Sequence, residues 1–165
     1  MSITLSNKER TLLEDQKNHE QVCIEKYTNY ANQAQDSQLR QIFQQNAIEE
    51  VEHLNSINSL LNGEVPDLNN KSQQSAEAVQ ASQTVNNAIS SQASQQTGLN
   101  KGCDKELCTD MLMTEKYVSG AYDTSIFEFT DTGARDVLNH IQKEEQKHGE
   151  AIFKYMNSKG MYNVQ

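Results

Sequence analysis

Six residues in this 165-residue chain have the types and spacing to do chemistry together: Glu20, Glu50, His53, Glu115, Glu145 and His148. Glu50-x-x-His53 and Glu145-x-x-His148 are i, i+3 pairs, so on a helix both side chains of a pair project the same way from one turn. Each pair follows a lone glutamate, Glu20 or Glu115, by 30 residues. All six interrupt stripes of apolar residues that otherwise mark buried helix faces. One ionised carboxylate buried without compensation costs several kcal/mol, and no Lys or Arg falls at the same level to offset four. Two divalent cations would balance the four negative charges. Oxygen and imidazole donors without thiolate suit iron or manganese, and zinc also fits. The alternative is a bundle whose acids are partly protonated or hydrated. A single Glu-x-x-His on a helix is a weak motif; two at the same place in an internal repeat are far more specific.

The elements that must position these residues are helices. Ser6-Asn7-Lys8-Glu9 is a capping-box pattern that starts a helix near Asn7. Leu13, Glu20, Ile24, Tyr27, Ala31 and Ala34 then share a face. Asp36-Ser37 interrupts and recaps. A second helix carries Leu39, Phe43, Ala47, Glu50, His53, Ile57 and Leu61 on one face and stops at Asn62-Gly63, before Pro66. A third, from about Asp104, carries Leu107, Met111, Glu115, Val118, Tyr122, Ile126 and Phe129. Asp131-Thr132-Gly133 turns the chain into a fourth, with Leu138, Ile141, Glu145, His148, Ile152 and Tyr155 inward and Gly160 at its end.

The two halves repeat. A shift of 95 positions superposes Asp15 on Asp110, Glu20 on Glu115, Tyr27 on Tyr122, Asp36 on Asp131 and Arg40 on Arg135. The same shift superposes Glu49-Glu50 on Glu144-Glu145, His53 on His148 and Ile57 on Ile152, without a gap. Two like helical hairpins, about 7–62 and 104–160, make one four-helix bundle in a single domain, 1–165. A Glu from each of two helices plus Glu-x-x-His from the other two is the ligand set of di-iron and di-manganese carboxylate bundles. The connection of about 40 residues between the hairpins, about 64–103, is longer than an up-down-up-down bundle needs. It can traverse a 25-residue helix, roughly 38 Å long, so a ferritin-like crossover is expected. Its Gln/Ser/Asn-rich part, Asn69 to Thr97, reads either as a connection with a short surface helix around Ala76–Ile89 or as a disordered linker.

The neighbours of the six admit two readings each. Tyr27 and Tyr122, two turns beyond the lone glutamates, either hydrogen-bond a ligand carboxylate or pack as core. Asp15 and Asp110 either orient a histidine ring or complement a helix N-terminus. Arg40 and Arg135 are expected to pair with acids near the hairpin turns, and Glu49 and Glu144 to be solvated or flanking. Cys23 reads as a buried free thiol. Cys103 and Cys108, spaced C-x4-C with no further ligand nearby, are weak as a zinc site and stand as thiols open to cross-linking.

Composition excludes several classes. A net charge of −9, from 14 Lys+Arg against 23 Asp+Glu, argues against nucleic acid and anionic membranes as partners. No apolar run approaches 18 residues, so no membrane span is expected. Met1 to Lys8 has no apolar stretch of the secretory kind. Three cysteines are too few for a disulfide framework and fit a reducing, cytoplasmic setting.

The second hairpin, from Leu107-Cys108-Thr109-Asp110-Met111-Leu112 through Lys143-Glu144-Glu145-Gln146-Lys147-His148 to Gly160-Met161-Tyr162, resembles the coat F domain of bacterial spore coat proteins. Asp36-Ser37-Gln38-Leu39-Arg40 resembles that family too. The resemblance implies a ferritin-like fold and a place in the endospore coat, assembled from the mother-cell cytoplasm. It also implies other coat proteins and a second copy of the chain, as a homodimer, as partners. A coat role requires no metal, yet all six positions are kept here. At the Glu-x-x-His level the chain is also similar to rubrerythrins and manganese catalases, which implies a second function: an oxidoreductase acting on peroxide or O2. It departs from rubrerythrins in carrying Cys23 and Val118 three residues after the lone glutamates, and in lacking a four-cysteine iron site. An electron donor would therefore be external.

Overall fold

In the computed structural model, residues 2–68 and 103–164 are described, with Gln83 and Asn87 between them. The bulk of the expected crossover lies outside the described residues; of the helix expected at 76–89, only Gln83 and Asn87 are described, and both are helical. Four helices make up the described fold: α1 Asn7–Gln33, α2 Ser37–Leu61, α3 Asp104–Glu128 and α4 Thr132–Ser158. The capping signals act as the sequence implies. Ser6 and Glu9 form a reciprocal capping box, Asp36 caps α2 through Gln38 N–H, and Asp131 caps α4 through Ala134 N–H. Gly63 and Gly160 end α2 and α4 with φ of 81° and 67°, a left-handed backbone that a Cβ would strain.

α1 packs against α2 and α3, and α4 against α3 and α2. Bonds between α1 and α3 run in opposite senses along the two helices: Lys26 meets Asp110, Gln16 meets Ser125 and Lys8 meets Glu128. The pair is therefore antiparallel. α3 begins beside the α1–α2 turn, where Asp104 accepts from the N–H groups of Gln35 and Asp36. The segment after α2 lies at the other end, with Val65 against Gly133. The end of α2 and the start of α3 are thus at opposite ends of the bundle. That is the arrangement a crossover connection requires and an up-down-up-down bundle lacks.

The internal repeat becomes an approximate two-fold axis perpendicular to the helices. The axis exchanges two apolar clusters, one around Tyr27, Phe43, Met111 and Ile152, the other around Leu13, Ile57, Tyr122 and Leu138. The six polar residues form the layer between them. Three stripe positions differ from expectation by one residue: Cys23 is fully buried where Ile24 is only partly so, and two more lie on α2 and α3. Leu60, rather than Leu61, is fully buried, and Ser125 is buried where Ile126 is only partly so. Ser125 is held inside by accepting from Gln16 Nε2 at 3.0 Å. Among the described residues no helix is long and apolar enough to cross a membrane.

Candidate metal centre

Each helix contributes to the central layer from near its middle: Glu20 from α1, Glu50 and His53 from α2, Glu115 from α3, Glu145 and His148 from α4. All six are buried, none more than 5% exposed. Their ligand atoms form two groups, Glu20–Glu50–His53–Glu145 and Glu50–Glu115–Glu145–His148, with the atoms of each group within 4.8 Å of one another. Glu50 and Glu145 belong to both. The structure thus brings together every residue of the expected site, and either group can hold a metal ion.

Hydrogen bonding does not account for this packing. His53 Nδ1 lies 3.1 Å from Glu145, 3.2 Å from Glu50 and 3.6 Å from Glu20. One nitrogen cannot satisfy three carboxylates. His148 Nε2 is 2.8 Å from Glu49 and donates its N–H there. In the neutral ring that leaves the Nδ1 lone pair facing Glu50, Glu115 and Glu145 at 3.3, 3.7 and 3.6 Å. Among the described residues, every buried side-chain oxygen or nitrogen without a hydrogen-bond partner belongs to this cluster: Glu20 Oε2, Glu50 Oε1, Glu115 Oε2, both oxygens of Glu145 and His148 Nδ1. Acceptors converging on a common centre without donors fit a cation held between them.

The electrostatics demand positive charge. Burial and the neighbouring Glu50 and Glu145 charges push the Glu20 carboxyl well above the usual range. Burial likewise raises Glu115, against the pull of His148. Burial would lower both histidines, but the carboxylates around them outweigh it and hold both well above the ordinary imidazole value. The shared Glu50 and Glu145 sit between the two rings, which overcome burial and hold them low. Without a cation the layer must therefore collect protons.

Both tyrosines hydrogen-bond the lone glutamates, and they do so across the two-fold. Tyr27 donates to Glu115, and Tyr122 donates to Glu20. Burial and the adjacent carboxylates push both phenols up, so they remain donors. Asn46 Nδ2 donates to Tyr27 Oη at 3.1 Å, a contact the first hairpin alone has, since Ile141 stands at the equivalent position.

Several neighbours differ from expectation. Glu49 is not merely flanking: it is the partner of His148 Nε2, and it comes from α2 rather than the helix that carries the ring. Its equivalent Glu144 pairs instead with Lys147 at 2.6 Å. Asp110 takes no histidine; it pairs with Lys26 and Tyr30, each at 2.6 Å. Asp15 is exposed. Among the described residues Arg40 and Arg135 form no ion pair with an acid at the turns: Arg40 donates to the Ala34 carbonyl and Arg135 to the Thr132 hydroxyl. Cys23 is a buried free thiol, kept protonated by burial and the cluster's charge. The C-x4-C pair divides: Cys103 is exposed beside the α3 start, and Cys108 is buried in the core.

Fold and site together define an all-α four-helix bundle around a buried carboxylate–histidine cluster able to hold metal. Residues 103–165, which include the second hairpin, match the family model of the Coat F domain. The match supports a role in the spore coat. No curated protein and no solved structure matches the chain.

Proposed function

We propose that the protein is a spore-coat component, assembled in the mother-cell cytoplasm with other coat proteins, whose ferritin-like bundle holds two transition-metal ions. Glu20 and His53 serve one ion and Glu115 and His148 the other. Glu50 and Glu145, common to both groups, would help hold both ions. The observation that carries this reading is the pair of overlapping ligand groups sharing Glu50 and Glu145, with the cluster's acceptors left without hydrogen bonds. Oxygen-rich donors with one imidazole per ion favour iron or manganese, with zinc also accommodated. Within a coat particle such a pair ties four helices together at mid-length, because an ion bound only by the folded state stabilises it.

A second reading, a di-metal oxidoreductase acting on peroxide or O2, is favoured by one feature: the groove between α3 and α4 reaches Glu115 and Glu145. When bound, iron or manganese would supply the electrons for such chemistry. The chain's own residues exclude bulk water by burial, and Tyr27 and Tyr122 orient Glu115 and Glu20.

Elemental analysis of protein purified without chelators, followed by peroxide-consumption assays, tests both. Two ions per chain without turnover fit the coat role alone. Two ions with rapid turnover fit the enzyme. Absence of metal, even after incubation with Fe(II) or Mn(II), overturns the metal centre and leaves a protonated cluster. Sedimentation analysis tests the expected homodimer.

A further inference from the structure

The repeat builds the two halves of the cluster alike, and a groove approaches the cluster between α3 and α4. The groove has a volume of about 860 Å³, and its lining includes Glu115 and Glu145 of the cluster but none of Glu20, Glu50, His53 and His148. Leu112, Phe153 and Met156 make apolar walls, and Glu150 adds a carboxylate. Glu115 and Glu145 line the groove, and Glu115 Oε2 and both oxygens of Glu145 are buried and unpartnered.

Gly149 of α4 lines this groove. A glycine inside a helix costs about 1 kcal/mol relative to alanine. Packing does not require it: a Cβ would stand 3.7 Å from Leu112 Cδ1 and 3.9 Å from Glu115 Cβ, ordinary contact distances. In the first hairpin the equivalent residue, 95 positions earlier, is Leu54. What glycine preserves at 149 is space beside Glu115. The half of the cluster on this side is also the one whose histidine is backed by a carboxylate, Glu49.

We propose that this groove admits a small uncharged ligand to the cluster, and that the Glu115 side is the side that meets it. Gly149 holds the route open. This rests on the metal-centre reading above. Lys116 and Glu150 in the lining offset each other, and the apolar walls and a chain charge of −9 disfavour an anion.

The test uses nitric oxide, an uncharged diatomic, on the full-length protein loaded with Fe(II). Binding is followed by stopped-flow absorbance and by electron paramagnetic resonance, with iron content measured in parallel. Gly149→Leu, which puts the first hairpin's residue in the second, should keep its iron and bind nitric oxide about tenfold more slowly, because entry then requires the helices to part. Gly149→Ala should fold as wild type and fall between the two. Equal rates in all three proteins, with iron retained, overturn the route and leave the metal centre standing. If Gly149→Leu unfolds or loses iron, Gly149→Ala decides, and a wild-type rate overturns the proposal. Failure of wild type to hold iron overturns the metal centre and this route with it.

Discussion

Glu9 and Asp104 occupy the same place in the two halves of the repeat, and each holds the turn of the other hairpin. Glu9 Oε1 accepts from the N–H and hydroxyl of Thr130 at 2.9 and 3.1 Å. Asp104 accepts from the N–H groups of Gln35 and Asp36 at 2.8 and 3.0 Å. Thr130 and Gln35 are themselves equivalent, 95 positions apart. One carboxylate at each end of the bundle thus clamps hairpin to hairpin. The α1–α3 register that results carries Tyr27 to Glu115 and Tyr122 to Glu20.

The Glu9 clamp makes stability depend on pH. Burial works to raise its pKa, but the N–H groups of Thr130 and Ser6 outweigh it and bring it from 4.5 down to about 2. The unfolded chain therefore binds the proton more readily than the folded one. The clamp's contribution is full above about pH 4.5 and is lost as pH falls towards 2. Glu9→Gln should cost about 2 kcal/mol at pH 7 and flatten the stability curve between pH 2 and 4.5. Urea melts of both proteins across that range check it; parallel curves would contradict it.

The two tyrosines should not be equivalent. Tyr122→Phe leaves one Glu20 oxygen without its donor, a loss of about 1–2 kcal/mol in metal-free protein. Tyr27→Phe strands Glu115 and also the amide of Asn46, so it should cost about 1 kcal/mol more. Thermal unfolding of the two variants gives the order, and Ile141 in place of a second asparagine is the reason for it.

Much of this arrangement is legible in the residues themselves, because the repeat advertises it. Spacing alone places Glu50 with His53 and Glu145 with His148, since one helix turn relates each pair. Burial of the lone glutamates follows from the stripes they interrupt. Glu49 escapes such reading. It sits about 100° around α2 from Glu50, and its partner His148 belongs to α4, so only the packing of two helices reveals the bond. Asn46 escapes for the same reason. The arginines mislead because charge suggests acids, whereas a turn offers a free carbonyl at Ala34 and a hydroxyl at Thr132, both nearer in the chain. Leu60 and Leu61 show how a stripe drifts by one residue at a helix end, where the chain turns into Gly63.

Bound metal should raise the melting temperature, with the gain growing as the logarithm of free metal above its dissociation constant. Free Mn(II) or Fe(II) at 100 times its dissociation constant adds about 2.7 kcal/mol per site. His148→Ala should abolish the gain at one site, and Glu50→Gln or Glu145→Gln should weaken both because those residues belong to both ligand groups. Calorimetric scans with and without metal check the pattern. Equal effects of Glu50→Gln and of a surface change such as Glu14→Gln would contradict it.

Glu49 gives the last prediction. By accepting the Nε2 proton of His148 at 2.8 Å it fixes the ring so that Nδ1 faces the cluster, and its negative charge makes that nitrogen a better donor. Loss of such a partner typically lowers metal affinity about 10- to 100-fold. Glu49→Gln should therefore weaken one of two Co(II) binding steps by that factor and leave the other in place. Glu144→Gln, at the equivalent position, removes only an exposed contact with Lys147 and should change neither step. A Co(II) titration followed by visible absorbance separates the steps. If both variants behave alike, Glu49 only fills space beside the ring, and the two halves of the cluster bind metal as equals.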